Sequence, residues 1–152
     1  MVCIKYIIML IFIAVNTIGC TPKSKELAGM DDKMEYSLET ENGEIIDSVN
    51  NARILDEINR IDKDDVKPSE DYGFIILTPK ERINNIQYIQ MAKNVGSNEY
   101  TVEVRISDNK NFKHYQHFFT SKDEVISIFL ELTNNKKLPN LQEWEDVSSQ
   151  YR

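Results

Sequence analysis

Apolar and polar residues alternate with a period of two over residues 99–107, where Tyr100, Val102, Val104 and Ile106 interleave with Thr101, Glu103, Arg105 and Ser107. That pattern predicts a β-strand with one apolar and one polar face. Asp108-Asn109-Lys110-Asn111 supplies turn residues, and the aromatic-rich stretch 112–119, free of Gly and Pro, returns as the partner strand. Ser121-Lys122-Asp123-Glu124 then reads as a capping box that opens a helix, with the Ser121 hydroxyl accepting from a first-turn amide and Glu124 reaching back. Val125, Ile128, Phe129 and Leu132 share one face of that helix and are placed to cover the apolar face of the hairpin.

Upstream, Ile45, Val49, Ala52, Leu55, Ile58 and Ile61 recur at steps of three and four, which predicts a helix over residues 45–61 capped by Asp47 or Ser48. Residues 62–70 break the pattern, Lys67-Pro68 in particular favouring an extended or turning chain. Residues 72–77 are a short apolar strand. Thr78-Pro79-Lys80-Glu81 follows with the signature of a helical turn over 79–84, a cap followed by proline at the first helical position. Residues 86–93 lead through Asn94-Val95-Gly96-Ser97-Asn98 into the strand at 99, so a hairpin is expected; a helix over 83–91 fits the same short apolar run. Asn134-Asn135-Lys136-Lys137 and Pro139 end the long helix, and residues 141–147 suit one or two closing helical turns. The expected fold class is α+β: an antiparallel sheet of three or four strands packed against one or two helices, in a single domain over residues 45–152.

The N-terminus has a different pattern. Lys5 precedes an uninterrupted apolar run over residues 6–15, and Asn16-Thr17-Ile18-Gly19-Cys20 follows with small residues at its end. A basic start, a short apolar run and a small-residue exit predict an export signal over residues 1–19. The run falls short of the ~20 residues needed to cross a bilayer. Ile18-Gly19-Cys20 resembles the lipobox of bacterial lipoproteins, although Thr17 stands where that family has leucine. The resemblance implies that Cys20 carries lipid, as a palmitate-type acyl anchor, and becomes the first residue of the mature chain. Thr21 after it resembles the sorting pattern for an outer membrane facing the periplasm, where the cell has two membranes. Residues 20–44, with Pro22, Gly29 and Gly43 and little periodicity, are then a lipid-anchored flexible tether. The only cysteines are Cys3 and Cys20, so a processed and acylated chain has neither a disulfide nor a thiol nucleophile.

Charge separates the two parts of the remaining chain. Residues 31–71 hold 14 Asp and Glu against 5 Lys and Arg, whereas residues 72–152 hold 10 against 10. A net charge of −7 with no basic patch gives no footing for nucleic acid. The acidic segment instead suits a basic protein partner, with Asp56, Glu57, Asp62, Asp64 and Asp65 as the candidate contact residues. The run 62–65 lacks the residue order of a calcium loop.

Catalytic motifs are missing. There is no Gly-x-Ser-x-Gly, no phosphate-binding glycine loop, no dinucleotide fingerprint and no His-Glu-x-x-His. His114 and His117 are three apart on a strand, so they point to opposite faces and cannot jointly chelate a metal without a bulge; both are expected to be surface or half-buried. Glu103 and Arg105 read as members of a cross-strand charge ladder, and Trp144 as a plug over the core. No catalytic residue, metal ligand or cofactor is expected, and the chain reads as a non-enzyme.

Ile89-Gln90-Met91-Ala92, Tyr100-Thr101-Val102-Glu103-Val104-Arg105, His114-Tyr115, Glu124-Val125-Ile126 with Phe129, and Trp144-Glu145-Asp146-Val147 together resemble small bacterial toxin-immunity proteins. The resemblance covers about the last 70 residues and implies a compact α+β domain that binds and neutralises a cognate toxin. With a lipid anchor, that toxin would act in the envelope. The alternative reading is a structural or assembly lipoprotein of the envelope with no toxin partner.

Overall fold

The structure, a computed structural model, describes residues 36–65, 71–81, 83–108 and 111–151. Among these, seven strands form one antiparallel sheet: β1 (Tyr36–Thr40), β2 (Ile45–Asp47), β3 (Tyr72–Pro79), β4 (Ile86–Asn94), β5 (Tyr100–Asp108), β6 (Asn111–Phe119) and β7 (Glu145–Asp146). Their order across the sheet is β2-β1-β3-β4-β5-β6-β7, with helix α1 (Asn51–Asp62) joining β2 to β3 and α2 (Lys122–Asn135) following β6. The α+β class holds, but the sheet is larger than the three or four strands expected.

The expected hairpin and capped helix both form. β5 and β6 pair in continuous register from Tyr100↔Phe119 to Asp108↔Asn111. Ser121 Oγ accepts the Glu124 amide and α2 buries Val125, Phe129 and Leu132. Lys136 ends the helix in the left-handed conformation, its amide bonded to the Glu131 and Leu132 carbonyls. Residues 86–93 take the strand option rather than the helical one, because β4 is hydrogen-bonded on both sides, to β3 and to β5.

Three expectations are corrected. The tether expected to extend to residue 44 ends earlier, since β1 lies between β2 and β3 with Tyr36, Leu38 and Thr40 buried. The signal is present in the sequence: Tyr-Ser-Leu-Glu-Thr alternates, and Asn42-Gly43 is a hairpin dipeptide. Gly43 has φ +72 and its amide bonds the Thr40 carbonyl at 2.9 Å, a tight turn for which glycine is suited. The helix expected from residue 45 begins at Asn51, because Ile45–Asp47 pairs with β1. Ser48 turns the chain at φ 63 and the Asn50 side chain caps Arg53 N at 2.8 Å. Its buried face is therefore Ile54, Ile58 and Ile61, with Leu55 half-buried and Ala52 exposed. The helical turn expected over residues 79–84 gives way to pairing: β3 continues to Pro79, opposite Tyr36, and Asn84 and Asn85 adopt positive φ beyond it. The closing segment consists of short 3-10 turns at Leu141–Glu143 and Ser148–Tyr151 on either side of β7.

Both helices lie on the same face of the sheet. Ile54, Ile58 and Ile61 of α1 and Val125, Phe129 and Leu132 of α2 share one cluster with Leu38, Ile75, Leu77, Ile89, Met91, Val102 and Val104. Tyr36 fastens the layers by donating its hydroxyl to the Leu132 carbonyl at 2.9 Å. Trp144 belongs to the same cluster, stacked on His117 at 5.6 Å and edge-on to Phe119.

Strand phase can be tested at adjacent positions. Val104 is fully buried under the helices, so Val104→Asp leaves an unpaired charge in the core and is expected to cost about 3 kcal/mol or more. Arg105 faces away and stacks over the Phe112 ring at 3.7 Å; Arg105→Ala is expected to cost about 1 kcal/mol. Urea unfolding with matched slopes measures both. Equal costs would place the strand one residue out of phase.

Candidate functional site

The face of the sheet away from the helices is composed of the other half of each strand. Cross-strand register places its residues in rows. One row is Phe74, Ala92, Thr101 and Phe118, running from β3 to β6. The next runs across all seven strands as Ile45, Glu39, Ile76, Gln90, Glu103, Gln116 and Glu145. A third contains Tyr88, Arg105 and His114. Neither α1 nor α2 covers these rows.

This face holds most of the exposed apolar surface. Among the described residues, the exposed large hydrophobics are Ile45 at 65%, Tyr72 at 44%, Val95 at 47%, Phe118 at 50% and Tyr151 at 45%. Ile45, Tyr72 and Phe118 are strand residues of the open face, and Tyr151 stacks on His114 of the same face at 4.1 Å. Tyr72 also stacks on Phe74. Single exposed hydrophobics need no explanation, but their concentration on one face of the sheet is the kind of feature that marks an interaction surface.

Glu103 and His114 form a covered pair near one end of this face. His114 is fully buried, not at the surface or half-buried as expected, and its Nε2 lies 3.0 Å from Glu103 Oε2. Tyr151 covers the imidazole on one side and Tyr88 meets it edge-on at 6.0 Å, while Nδ1 has no hydrogen-bond partner. The C-terminal turn is held there by backbone bonds: Val147 N donates to the His114 carbonyl at 2.8 Å, and His114 N donates to Ser148 Oγ at 2.9 Å. Burial first, then the charge of Glu103, raises the Tyr151 phenol above its ordinary value. His117 lies on the opposite face with Trp144, so the two histidines are separated by the sheet, as their spacing predicts.

The acidic residues singled out from sequence lie elsewhere, on and just after α1. Three of the five are committed to internal ion pairs. Glu57 is buried between Arg53 and Arg60, each 2.8 Å away. Asp62 accepts from the Tyr100 hydroxyl and from Lys122 Nζ at 2.9 Å. Asp64 pairs with buried Lys93 at 2.9 Å, whose ammonium also donates to the Asp62 carbonyl. Asp56 and Asp65 are exposed and form no ion pair among the described residues. Arg60 adds a two-pronged contact to Glu41, at 2.6 and 2.7 Å, that ties the β1–β2 turn to α1. Cys20 lies outside the described residues.

Other chemistry is sparse. Among the described residues no group of three or more His, Cys, Asp or Glu side chains converges as a metal site. A hollow of about 210 Å³ lies between α2 and the segment after it, floored by Ile128, Leu138 and Pro139. No helix among the described residues is long and apolar enough to cross a membrane. Comparisons with protein-family models, curated proteins and solved structures find no match to the chain.

The Asp62 pairs predict an acid-sensitive domain. Hydrogen bonds from Tyr100 and Lys122 hold the Asp62 carboxyl below its ordinary value. A lowered carboxylate stabilises the fold above its unfolded value of about 3.9 and loses that contribution as pH falls through the folded value. Asp62→Asn is therefore expected to reduce stability at pH 7 and to flatten its decline below about pH 4. Thermal unfolding of both proteins from pH 7 to 2.5 measures this, and parallel curves would contradict it.

Proposed function

We propose that this chain is an exported, lipid-anchored envelope protein that binds another protein through the open face of its sheet. The exposed apolar side chains of Ile45, Tyr72 and Phe118 on a face that neither α1 nor α2 covers support this reading best. The face spans seven strands, a breadth suited to a folded partner rather than a small molecule. Its middle strands carry Phe74 with Gln90, Glu103 and Gln116, and Glu39 and Glu145 stand toward its edges.

The anchor in this proposal is lipid on Cys20, which places the domain at a membrane surface, the outer membrane facing the periplasm in a two-membrane cell. Resemblance to toxin-immunity proteins gives the binding a specific form, neutralisation of an envelope-acting toxin. Blocking a toxin requires a complementary surface and no catalytic group.

Two experiments test these parts separately. Covalent capture from envelope fractions of the source cell is expected to retain a specific partner on the wild type, and Phe118→Asp with Tyr72→Asp is expected to reduce that capture at least tenfold without loss of fold. Both residues are half exposed, so the double variant should fold. Glu131→Gln, on exposed α2 surface, should capture as the wild type does. Equal capture by all three proteins removes the open face from consideration and leaves the assembly reading. For the anchor, labelling with a tagged fatty acid should mark the wild type and not Cys20→Ser; label on neither or on both contradicts acylation at Cys20.

A further inference from the structure

The open face carries two aromatic and carboxylate pairs arranged alike at its two sides. Phe74 is the diagonal neighbour of Glu39, which pairs with Ile76 two residues along β3. Phe118 is the diagonal neighbour of Glu145, which pairs with Gln116 two residues along β6. Diagonal neighbours on one face lie roughly 7–8 Å apart, within reach of a single long side chain. Ala92 and Thr101 are the small residues between the two rings, so the rings border a shallow trough. It crosses three strand spacings, or roughly 14 Å.

Charge determines what suits this trough. The strand positions of the face carry Glu39, Asp47, Glu103 and Glu145 against one base, Arg105. Asp47 is bridged by Lys80 at 3.2 Å and Glu103 is covered with His114. Glu39 and Glu145 are exposed and form no ion pair among the described residues. A cation set over a ring face with a carboxylate beside it gains from both. The molecule already uses ring-face chemistry on this surface, where the Arg105 guanidinium stacks over Phe112 at 3.7 Å.

From this geometry we propose that the open face takes a basic protein segment through two lysine or arginine side chains. One lies over Phe74 beside Glu39 and the other over Phe118 beside Glu145. The inference rests on the open face being the partner-binding surface and specifies the chemistry of that partner. An extended segment suits the spacing: residues i and i+4 share a strand face and lie roughly 14 Å apart. It also relocates the electrostatic contact from the acidic α1 region, where Glu57, Asp62 and Asp64 are paired internally, to the far side of the sheet.

The probe is a nine-residue serine- and threonine-rich peptide with arginine at positions 3 and 7, titrated against the full chain by chemical shift. Its partners are the same peptide with citrulline for arginine, which keeps the shape and removes the charge, and one with arginines at positions 3 and 4. The arginine-3,7 peptide is expected to bind at least tenfold more tightly than either, with shifts at Ala92 and Thr101. Glu39→Gln with Glu145→Gln should weaken it at least tenfold, and Asp56→Asn with Asp65→Asn should weaken it less than twofold. Equal binding of the citrulline peptide, equal loss in both pairs of variants, or preference for a neutral chito-oligosaccharide at the same residues would overturn the proposal. Failure here remains separable from failure of the broader reading. If Phe118→Asp with Tyr72→Asp abolishes partner capture while Glu39→Gln with Glu145→Gln does not, the face is the binding surface and its partner is not held by cations.

Discussion

Two helices cannot cover two faces of a seven-stranded sheet, and most of this structure follows from that limit. Seven strands at about 4.8 Å spacing span roughly 30 Å from edge to edge. Helices of 12 and 14 residues, each about 10 Å across, cover about 20 Å of that width. Both α1 and α2 are on one side, where Ile54, Ile58, Phe129 and Leu132 complete a core that is fully buried. The opposite face therefore stays open, and its side chains must be acceptable to water or to a partner. It meets the first condition only in part, since Gln90, Gln116 and Thr101 alternate with Phe74, Ile76 and Phe118.

The acidic segment has a structural use that its composition alone does not reveal. The end of α1, the start of α2 and the adjoining ends of β4 and β5 meet at Asp62, Asp64, Lys93, Tyr100 and Lys122. Lys93 points to the helical side of the sheet and is almost fully buried, so its ammonium requires partners, and the Asp62 carbonyl and Asp64 carboxylate supply them. Such a cluster is costly to break because removing one member strands another away from water. Surface charge counted along the sequence overstates the field available to a partner, because Glu57, Asp62 and Asp64 are compensated within a few ångströms.

Local signals with a single physical outcome were legible. The alternation over residues 99–107 fixed which face of β5 is core, and Ser121 with Glu124 fixed the start of α2. Signals that depend on pairing were not. Thr78-Pro79 has the chemistry of a helix start, yet β1 lies alongside and the chain remains a strand through Pro79. Ile45 and Val49 fit a helical spacing, yet Ile45 pairs with Glu39 and the helix begins six residues later. The open face was harder to read because β3 is apolar at consecutive positions. In Phe74-Ile75-Ile76-Leu77 only Ile75 and Leu77 reach the core, and alternation requires that Phe74 and Ile76 point the other way. The same reasoning applies to Phe118 beside Phe119. Runs of adjacent apolar residues in a sheet with few helices are thus the sequence sign of a second apolar face.

His114 sets the boundary of what that face can offer. Burying a polar pair returns little net stability, since desolvation offsets most of the gain from the contact. The consequence of this pair is therefore better sought in position than in energy. One residue receives the Val147 amide, donates to Ser148, supports the Tyr151 ring and contacts Glu103. It thereby lays the C-terminal turn over His114 and withdraws that residue from contact, with Tyr88 and Arg105 half-buried beside it. The row of Phe74, Ala92, Thr101 and Phe118 lies two strand residues beyond Glu103, outside this cover. A sheet face that would otherwise be uniform is divided into an end closed by the chain itself and an end, bordered by rings and carboxylates, left open to another molecule.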